Sequence, residues 1–219
     1  MRQREIFSRW EGDGYFGRNP VTPDRLQEAA ERDPVLQVLA EGGVEARRVL
    51  EVGASNGWRL ACLRRRRPDT VCVGVEPSLA AVTEGARQFP DVSLVRGTAE
   101  RLPFASGGFD LVILGFFLYL CDRDELFRVA AETDRVLARD GLVVVFDFCP
   151  PRPHRNSYKH RPDLYSYKMD YAQMFLWNPI YRRVLERRMP HPGTDPDDLD
   201  NRIAVSLLRR DLQAAYPDT

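Results

Sequence analysis

The chain has 219 residues, with 32 Lys+Arg against 32 Asp+Glu and a formal net charge of zero. That length suits one sizeable α/β domain and is too short for two with a linker, and the even balance argues against a nucleic-acid footprint. With no apolar run of about 18 residues and no charged-then-apolar leader, neither membrane insertion nor export is expected, and a cytoplasmic protein is the default. Cys62, Cys72, Cys121 and Cys149 lie among apolar neighbours without a C-x-x-C pair, so they read as reduced core residues, and no metal site is expected.

Residues 1–45 read as a helical cap or flap. Thr22-Pro23-Asp24 and Asp33-Pro34 each put a capping side chain before a proline. Ahead of them, Trp10 to Asn19 is aromatic and glycine-rich, and has two readings. One is a docked loop burying Trp10 and Phe16; the other is a flap over a ligand, with Tyr15 and Arg18 reaching into the site.

Residues 46–148 read as the core. Val49, Leu50 and Val52 form a strand covered on both faces, and Gly53 to Gly57 let the chain turn hard at its carboxyl end into a helix. Open α/β sheets bind ligands at that edge, and the free N–H groups of the next helix suit polar or anionic atoms. The Arg64–Arg67 run then closes that helix, where cations complement its dipole. A second strand, Val71 to Val75, ends in Glu76, placed to accept hydrogen bonds from both hydroxyls of a ribose. The dinucleotide fingerprint started at Gly53 would need glycines at Ser55 and Trp58, and fails at both.

Ser78 caps the helix carrying Val82, Ala86 and Phe89, and Asp91 to Val95 is the next strand. Leu111 to Leu114 is the fourth strand, leading to Gly115, Phe116, Phe117 and Tyr119. A helix opening at Asp122 or Asp124 is expected to run to Gly141, with the strand Leu142–Phe146 after it, closing at Asp147. Residues 149–219 would hold an acceptor-binding loop rich in proline and polar aromatics, a helix over Asp170–Trp177, and a final pair of strands over Tyr181–Met189 and Ile203–Leu208. Between Arg152 and Arg188 stand nine Lys/Arg and three acids, an excess that suits an anionic acceptor or a merely solvated surface.

The motifs together resemble the class I S-adenosylmethionine (SAM)-dependent methyltransferases, of the methyltransferase-11 type. The residues are Glu51-Val-Gly53-Ala-Ser55-Asn-Gly57, where Ser55 replaces a glycine, then Val75-Glu76-Pro77-Ser78 and Gly97-Thr98-Ala99-Glu100-Arg-Leu-Pro103-Phe104. Phe109-Asp110-Leu-Val-Ile-Leu114 and Leu137-Ala-Arg-Asp-Gly141-Leu complete the series, so the likeness covers roughly residues 45 to 148. It implies a single doubly wound, mostly parallel seven-stranded sheet with helices on both faces and an antiparallel last strand. It also implies SAM bound by Glu51, Gly53, Ala54, Ser55, Asn56, Gly57, Glu76, Pro77, Ser78, Thr98, Ala99, Glu100, Gly115 and Phe116, with Tyr15 and Arg18 reaching the methionine carboxylate or the acceptor. The expected activity is methyl transfer to O or N of a small-molecule acceptor, such as an anionic, sugar or natural-product compound, with no nucleic acid or membrane as partner.

A general base for such a transfer suits histidine. His154 and His160 both follow the fifth strand, and His160 is favoured because Tyr158, Tyr165 and Tyr167 could wall it from water. His191, between Pro190 and Pro192, is expected to face solvent. Two other readings stay open: a SAM-binding relative without methyl transfer, with a regulatory or scaffolding role, and an oxidoreductase using a nicotinamide cofactor.

Overall fold

Side chains of a strand alternate between the two faces of its sheet, and here both sets are apolar. In the computed structural model, which describes residues 2–217, Leu50, Val52, Val112, Leu114, Val143 and Val145 pack into one core. Val49, Leu111, Ile113 and Val144 pack into a second on the other side. A sheet whose strands are apolar on both faces must be covered on both, and this one is.

The strands are β1 (Arg48–Val52), β2 (Val71–Glu76), β3 (Ser93–Arg96), β4 (Phe109–Gly115), β5 (Leu137–Phe148), β6 (His154–Ser157), β7 (Tyr165–Lys168), β8 (Tyr181–Pro190) and β9 (Arg202–Arg210). Seven of them form the main sheet in the order β3-β2-β1-β4-β5-β9-β8. Pairing is parallel from β3 through β5, whereas β9 runs antiparallel to both β5 and β8. The expected seven-stranded sheet with one antiparallel strand, the last in the chain, is therefore present. Its consequence for β8 is that it points the same way as β1 to β5. The chain winds outward from β1 to β3 and then returns to the other side of β1, so the order reverses between β1 and β4, and a crevice opens at their carboxyl ends.

Helices α1 (Gln3–Ile6), α2 (Gly12–Arg18), α3 (Leu26–Arg32), α4 (Pro34–Glu41), α5 (Trp58–Arg66), α6 (Leu79–Gln88), α7 (Leu126–Val136), α8 (Gln173–Leu176) and α9 (Leu212–Ala215) connect and cover the strands. The Asp33 carboxylate caps α4 by accepting the Leu36 N–H at 2.8 Å, as the Asp-Pro signal predicts. Thr22 makes no such side-chain bond. Among the described residues no helix is long and apolar enough to cross a membrane.

Four local expectations are corrected. The glycine-rich stretch 10–19 is not a loop: it continues α1 through a π-helical turn, Phe7–Glu11, into α2, and Trp10 is 51% exposed, not buried. In the π turn the Gly12 N–H reaches back to the Phe7 carbonyl, which a Cβ on Gly12 would meet at 2.6 Å, so glycine here permits the helix instead of breaking it. Second, α7 ends at Val136, well before Gly141. Leu137 is drawn into the core opposite Phe109, and the intervening residues bulge out before Leu142 resumes the ladder opposite Leu111. Third, the proline-rich segment after β5 contains a two-stranded ribbon, β6 with β7, its prolines falling outside the paired residues. Fourth, the helix expected over 170–177 contracts to the four residues of α8.

Candidate functional site

At the end of β1 the turn is fastened to β2. Gly53 and Ala54 donate their N–H groups to the Val75 carbonyl at 2.9 and 3.2 Å. Gly53, Ser55 and Gly57 all have positive φ, of 74°, 51° and 77°. For Ser55 that left-handed conformation costs about 1 kcal/mol that a glycine would not incur. The strain is offset by a hydrogen bond: the Ser55 N–H donates to Glu76 Oε2 at 2.9 Å, while Ser78 N–H donates to Oε1 at 3.0 Å. Glu76 is thus aimed from two sides at the tip of β2. Burial raises its pKa, the two backbone N–H groups oppose that, and the Asp13 charge adds to it.

Under the turn lies a buried charge cluster. Arg59, from the first turn of α5, bonds Asp33 through Nε at 3.1 Å and Nη2 at 2.8 Å, and Glu51 through Nη1. Glu51 is fully buried and its Oε2 has no partner among the described residues. Burial pushes its carboxyl up to about 7 against the pull of Arg59. Gly115 keeps this cluster open, because a Cβ there would stand 2.8 Å from Glu51 Oε1.

At the end of β4, Phe116 holds φ +63°, a conformation that bulky residues rarely adopt. It is pinned by its N–H on the Phe146 carbonyl at 2.9 Å and by ring contacts with Phe146 at 4.8 Å and Phe148 at 5.1 Å. Just below, Asp147 is 2% exposed, accepting the Leu118, Tyr119 and Phe148 N–H groups at 2.8, 3.3 and 2.7 Å.

Between these ends lies a cavity of about 470 Å³, a size that suits a small organic ligand. One end is lined by Gly53, Ala54, Ser55, Glu76, Pro77, Thr98, Ala99 and Glu100, with the Phe117 ring against Gly53, and the other by Phe116, Phe146, Met189, His191, Pro192 and Ile203. The helix over residues 3–18 closes the top with Arg4, Phe7, Ser8, Gly12, Tyr15 and Phe16. Burial raises the Tyr15 hydroxyl's pKa, with Glu76 and Asp147 acting in the same sense. Several bonds hold this helix down. Asp13 Oδ1 accepts the Ser78 hydroxyl at 2.6 Å and the Ala80 N–H at 3.1 Å, and Gln3 Nε2 donates to the Leu120 carbonyl at 2.8 Å.

Of the sequence-derived candidates, Tyr15, Gly53, Ala54, Ser55, Glu76, Pro77, Thr98, Ala99, Glu100, Gly115 and Phe116 line this cavity. Arg18, Glu51, Asn56, Gly57, Ser78, His154 and His160 stand outside its lining. Arg18 pairs with Glu11 and reaches the Tyr158 hydroxyl only at 3.5 Å. Asn56 donates to the Val21 carbonyl at 2.8 Å and to Gln88 at 3.0 Å, tying the turn to its surroundings, and Ser78 caps α6. His154 contacts the Arg152 carbonyl at 3.1 Å through Nδ1, and His160 is exposed with its ring 5.4 Å from Tyr158. Arg152, Arg155 and Lys159 are exposed on the ribbon, Arg155 lying over Tyr165.

Sequence reading overlooked Arg59, Asp147 and His191. For His191 the signal was present: it follows the carboxyl end of β8, and β8 is parallel to β1 through β5, so its exit loop lies on the ligand-binding edge. The expectation that it faces solvent is corrected, since it lines the cavity.

The fold and this crevice define a Rossmann-like domain of the methyltransferase kind, and comparison with known proteins agrees. Residues 49–141 match the family model of a methyltransferase domain. The chain is 37% identical over 130 residues to a demethylmenaquinone methyltransferase of Beutenbergia cavernae, covering 58% of this chain and 49% of that one. Over 112 residues it is 35% identical to a malonyl-[acyl-carrier protein] O-methyltransferase of Geobacter sulfurreducens, covering 49% and 41%. Among solved structures, a 1,6-didemethyltoxoflavin-N1-methyltransferase of Burkholderia thailandensis, with S-adenosylhomocysteine bound, superposes with a TM-score of 0.68 at 17% identity, covering 95% of this chain and 87% of that one. Residues 49–141 thus match a methyltransferase domain, and the chain is similar there to class I SAM-dependent methyltransferases. It spans about half the length of the curated relatives it matches.

Proposed function

We propose that this protein transfers the methyl group of SAM to a small, largely apolar ring compound. The observation that carries the reading is the two-ended cavity, polar and glycine-lined beneath β1 and β2, aromatic beneath β4 and β5. Glu76, already fixed by two N–H groups, keeps lone pairs for ribose hydroxyls. Thr98 and Ala99, on the same lining, would flank the adenine of SAM. SAM supplies an electrophilic methyl on a sulfonium. The chain's own part is to align a nucleophile with that methyl and to limit water, which the helix over residues 3–18 serves by covering one side of the cavity.

Phe116, Phe146, Met189 and Ile203 offer an acceptor stacking and dispersion contacts, not charge. Relatives named for menaquinone biosynthesis support a ring-shaped acceptor. The exposed cations on the ribbon lie outside the cavity and favour no anionic group within it. We place the reaction in the cytoplasm, with O or N of the ring compound receiving the methyl.

Calorimetry with SAM and with NADH tests the cofactor half. SAM should bind and NADH should not, and Glu76→Ala should weaken SAM by about 1.5–3 kcal/mol, as expected for charge-assisted hydrogen bonds. A folded Glu76→Ala protein with unchanged SAM affinity overturns the assignment.

A further inference from the structure

His191 is the one histidine among the described residues that lines the cavity. Its backbone is fixed: the N–H donates to the Asn201 carbonyl at 3.0 Å, and its own carbonyl accepts both the N–H and the hydroxyl of Thr194, at 3.1 and 2.7 Å. The ring stacks on Phe148 at 5.4 Å with 17° between planes, and tilts against Phe116 at 5.7 Å. Phe116 is the strained residue at the end of β4, so the imidazole rests on the aromatic wall of the cavity.

The tautomer follows from its neighbour. Nδ1 lies 3.0 Å from the Pro192 carbonyl, which can only accept. Neutral His191 therefore carries its proton on Nδ1 and its lone pair on Nε2, and no described residue hydrogen-bonds Nε2. A ring so held is a base with its basic nitrogen free.

We propose that His191 is the base that takes the proton of a ring hydroxyl on the acceptor as that oxygen is methylated. This rests on the methyl-transfer reading and narrows the acceptor to phenols and enols. The acceptor O–H bond breaks as its proton passes to Nε2, and an oxygen pair forms the bond to the methyl carbon. The carbon–sulfur pair returns to sulfur as the thioether of S-adenosylhomocysteine, and the imidazolium then yields its proton to water. The groups facing His191 together favour its neutral form. Burial lowers its pKa, the Pro192 carbonyl opposes this, and the Lys168 ammonium of β7, 4.1 Å from the other partner of the stack, Phe148, lowers it further. Asp198 and Asp200 act on Lys168 from the loop before β9, while Tyr119, Asp147 and Tyr15 complete the titratable groups around this end of the cavity.

The test pairs calorimetry of 4-nitrophenol binding in the presence of S-adenosylhomocysteine with the pH dependence of methyl transfer from SAM to a hydroxylated ring. In the unmodified protein kcat should rise with pH along an acidic limb as His191 loses its proton. His191→Gln, and His191→Asn, which keeps a donor for the Pro192 carbonyl, should bind both molecules and lose that limb. With a hydroxylated ring that is turned over, kcat should fall about 10²- to 10⁴-fold in both variants, with a smaller change in KM. An acidic limb retained in the variants, or missing from the unmodified protein, overturns the proposal, as does failure of 4-nitrophenol to bind. Failure of S-adenosylhomocysteine to bind instead overturns the methyl-transfer reading itself.

Discussion

Among single residues, Asp147 carries the most readable consequence. It accepts three backbone N–H groups yet pairs with no cation among the described residues, and burial pushes its carboxyl up to about 7, the three N–H groups and Arg123 opposing. The folded protein therefore holds a proton there that the unfolded chain, with a carboxyl near 3.9, has released. Its contribution to stability is complete below about pH 4 and is lost as pH rises through about 7. Urea titrations of the wild type and Asp147→Asn should diverge accordingly. The variant should be weaker throughout, since its amide faces an N–H donor, but its stability should fall less between about pH 5 and 8. Parallel pH curves would show that Asp147 does not titrate in that window. None of this was legible in the sequence, where Asp147 merely ends an apolar run. The acid at Glu76 was legible because its distance from the glycine turn has one meaning in this topology, whereas burial depends on what packs above.

At the scale of elements, the helix over residues 3–18 was the least legible. Gly12, Gly14 and Gly17 argue against a helix by propensity, and only the π turn and the docking onto α6 explain why one forms. Periodicity likewise carried α7 too far, because it does not report that Leu137 has a better place opposite Phe109. By contrast β1, β2 and β4 were read closely, as both of their faces are apolar and nothing competes. Asp13 is the joint between the first helical segment and α6, and it tests whether that segment acts as a cover. Asp13→Ala removes the acceptor of the Ser78 hydroxyl and Ala80 N–H, a loss of about 0.5–2 kcal/mol in helix-end interactions. Trypsin should then cut after Arg9 or Arg18 faster, and SAM affinity should fall up to about tenfold, while the urea midpoint of the core stays close to wild type. Unchanged cleavage and affinity would mean the segment is anchored elsewhere.

For the molecule as a whole, the alternation of strands and helices argued a parallel sheet and the family resemblance implied seven strands with the last antiparallel, while the strand order that puts the crevice between β1 and β4 is seen only in the structure. The same order placed the loop after β8 on that edge, an implication that residue-by-residue reading of His191 missed. Because SAM would touch the ends of β1, β2, β3 and β4 and the overlying helix at once, its binding should stabilise the fold as a unit. At 100 times its dissociation constant it should add about 2.7 kcal/mol, raising Tm by roughly 5–11 °C for a domain of this size. Glu76→Ala should show a smaller rise at the same SAM concentration. A scan in which SAM leaves Tm unmoved would contradict a cavity built from all these elements.

The closing of the cavity also sets an order of assembly. Tyr165 N–H donates to Gln3 Oε1 and the Tyr158 hydroxyl to Glu11, pairs 162 and 147 residues apart in the chain. On the ribosome, these two bonds must wait until the ribbon has emerged, and in refolding they face a large loop-closure cost before they can form. Docking of residues 3–18 should therefore be a late event that follows formation of the sheet, so that a nearly complete but uncapped sheet with its flanking helices waits with its ligand crevice open to the surroundings.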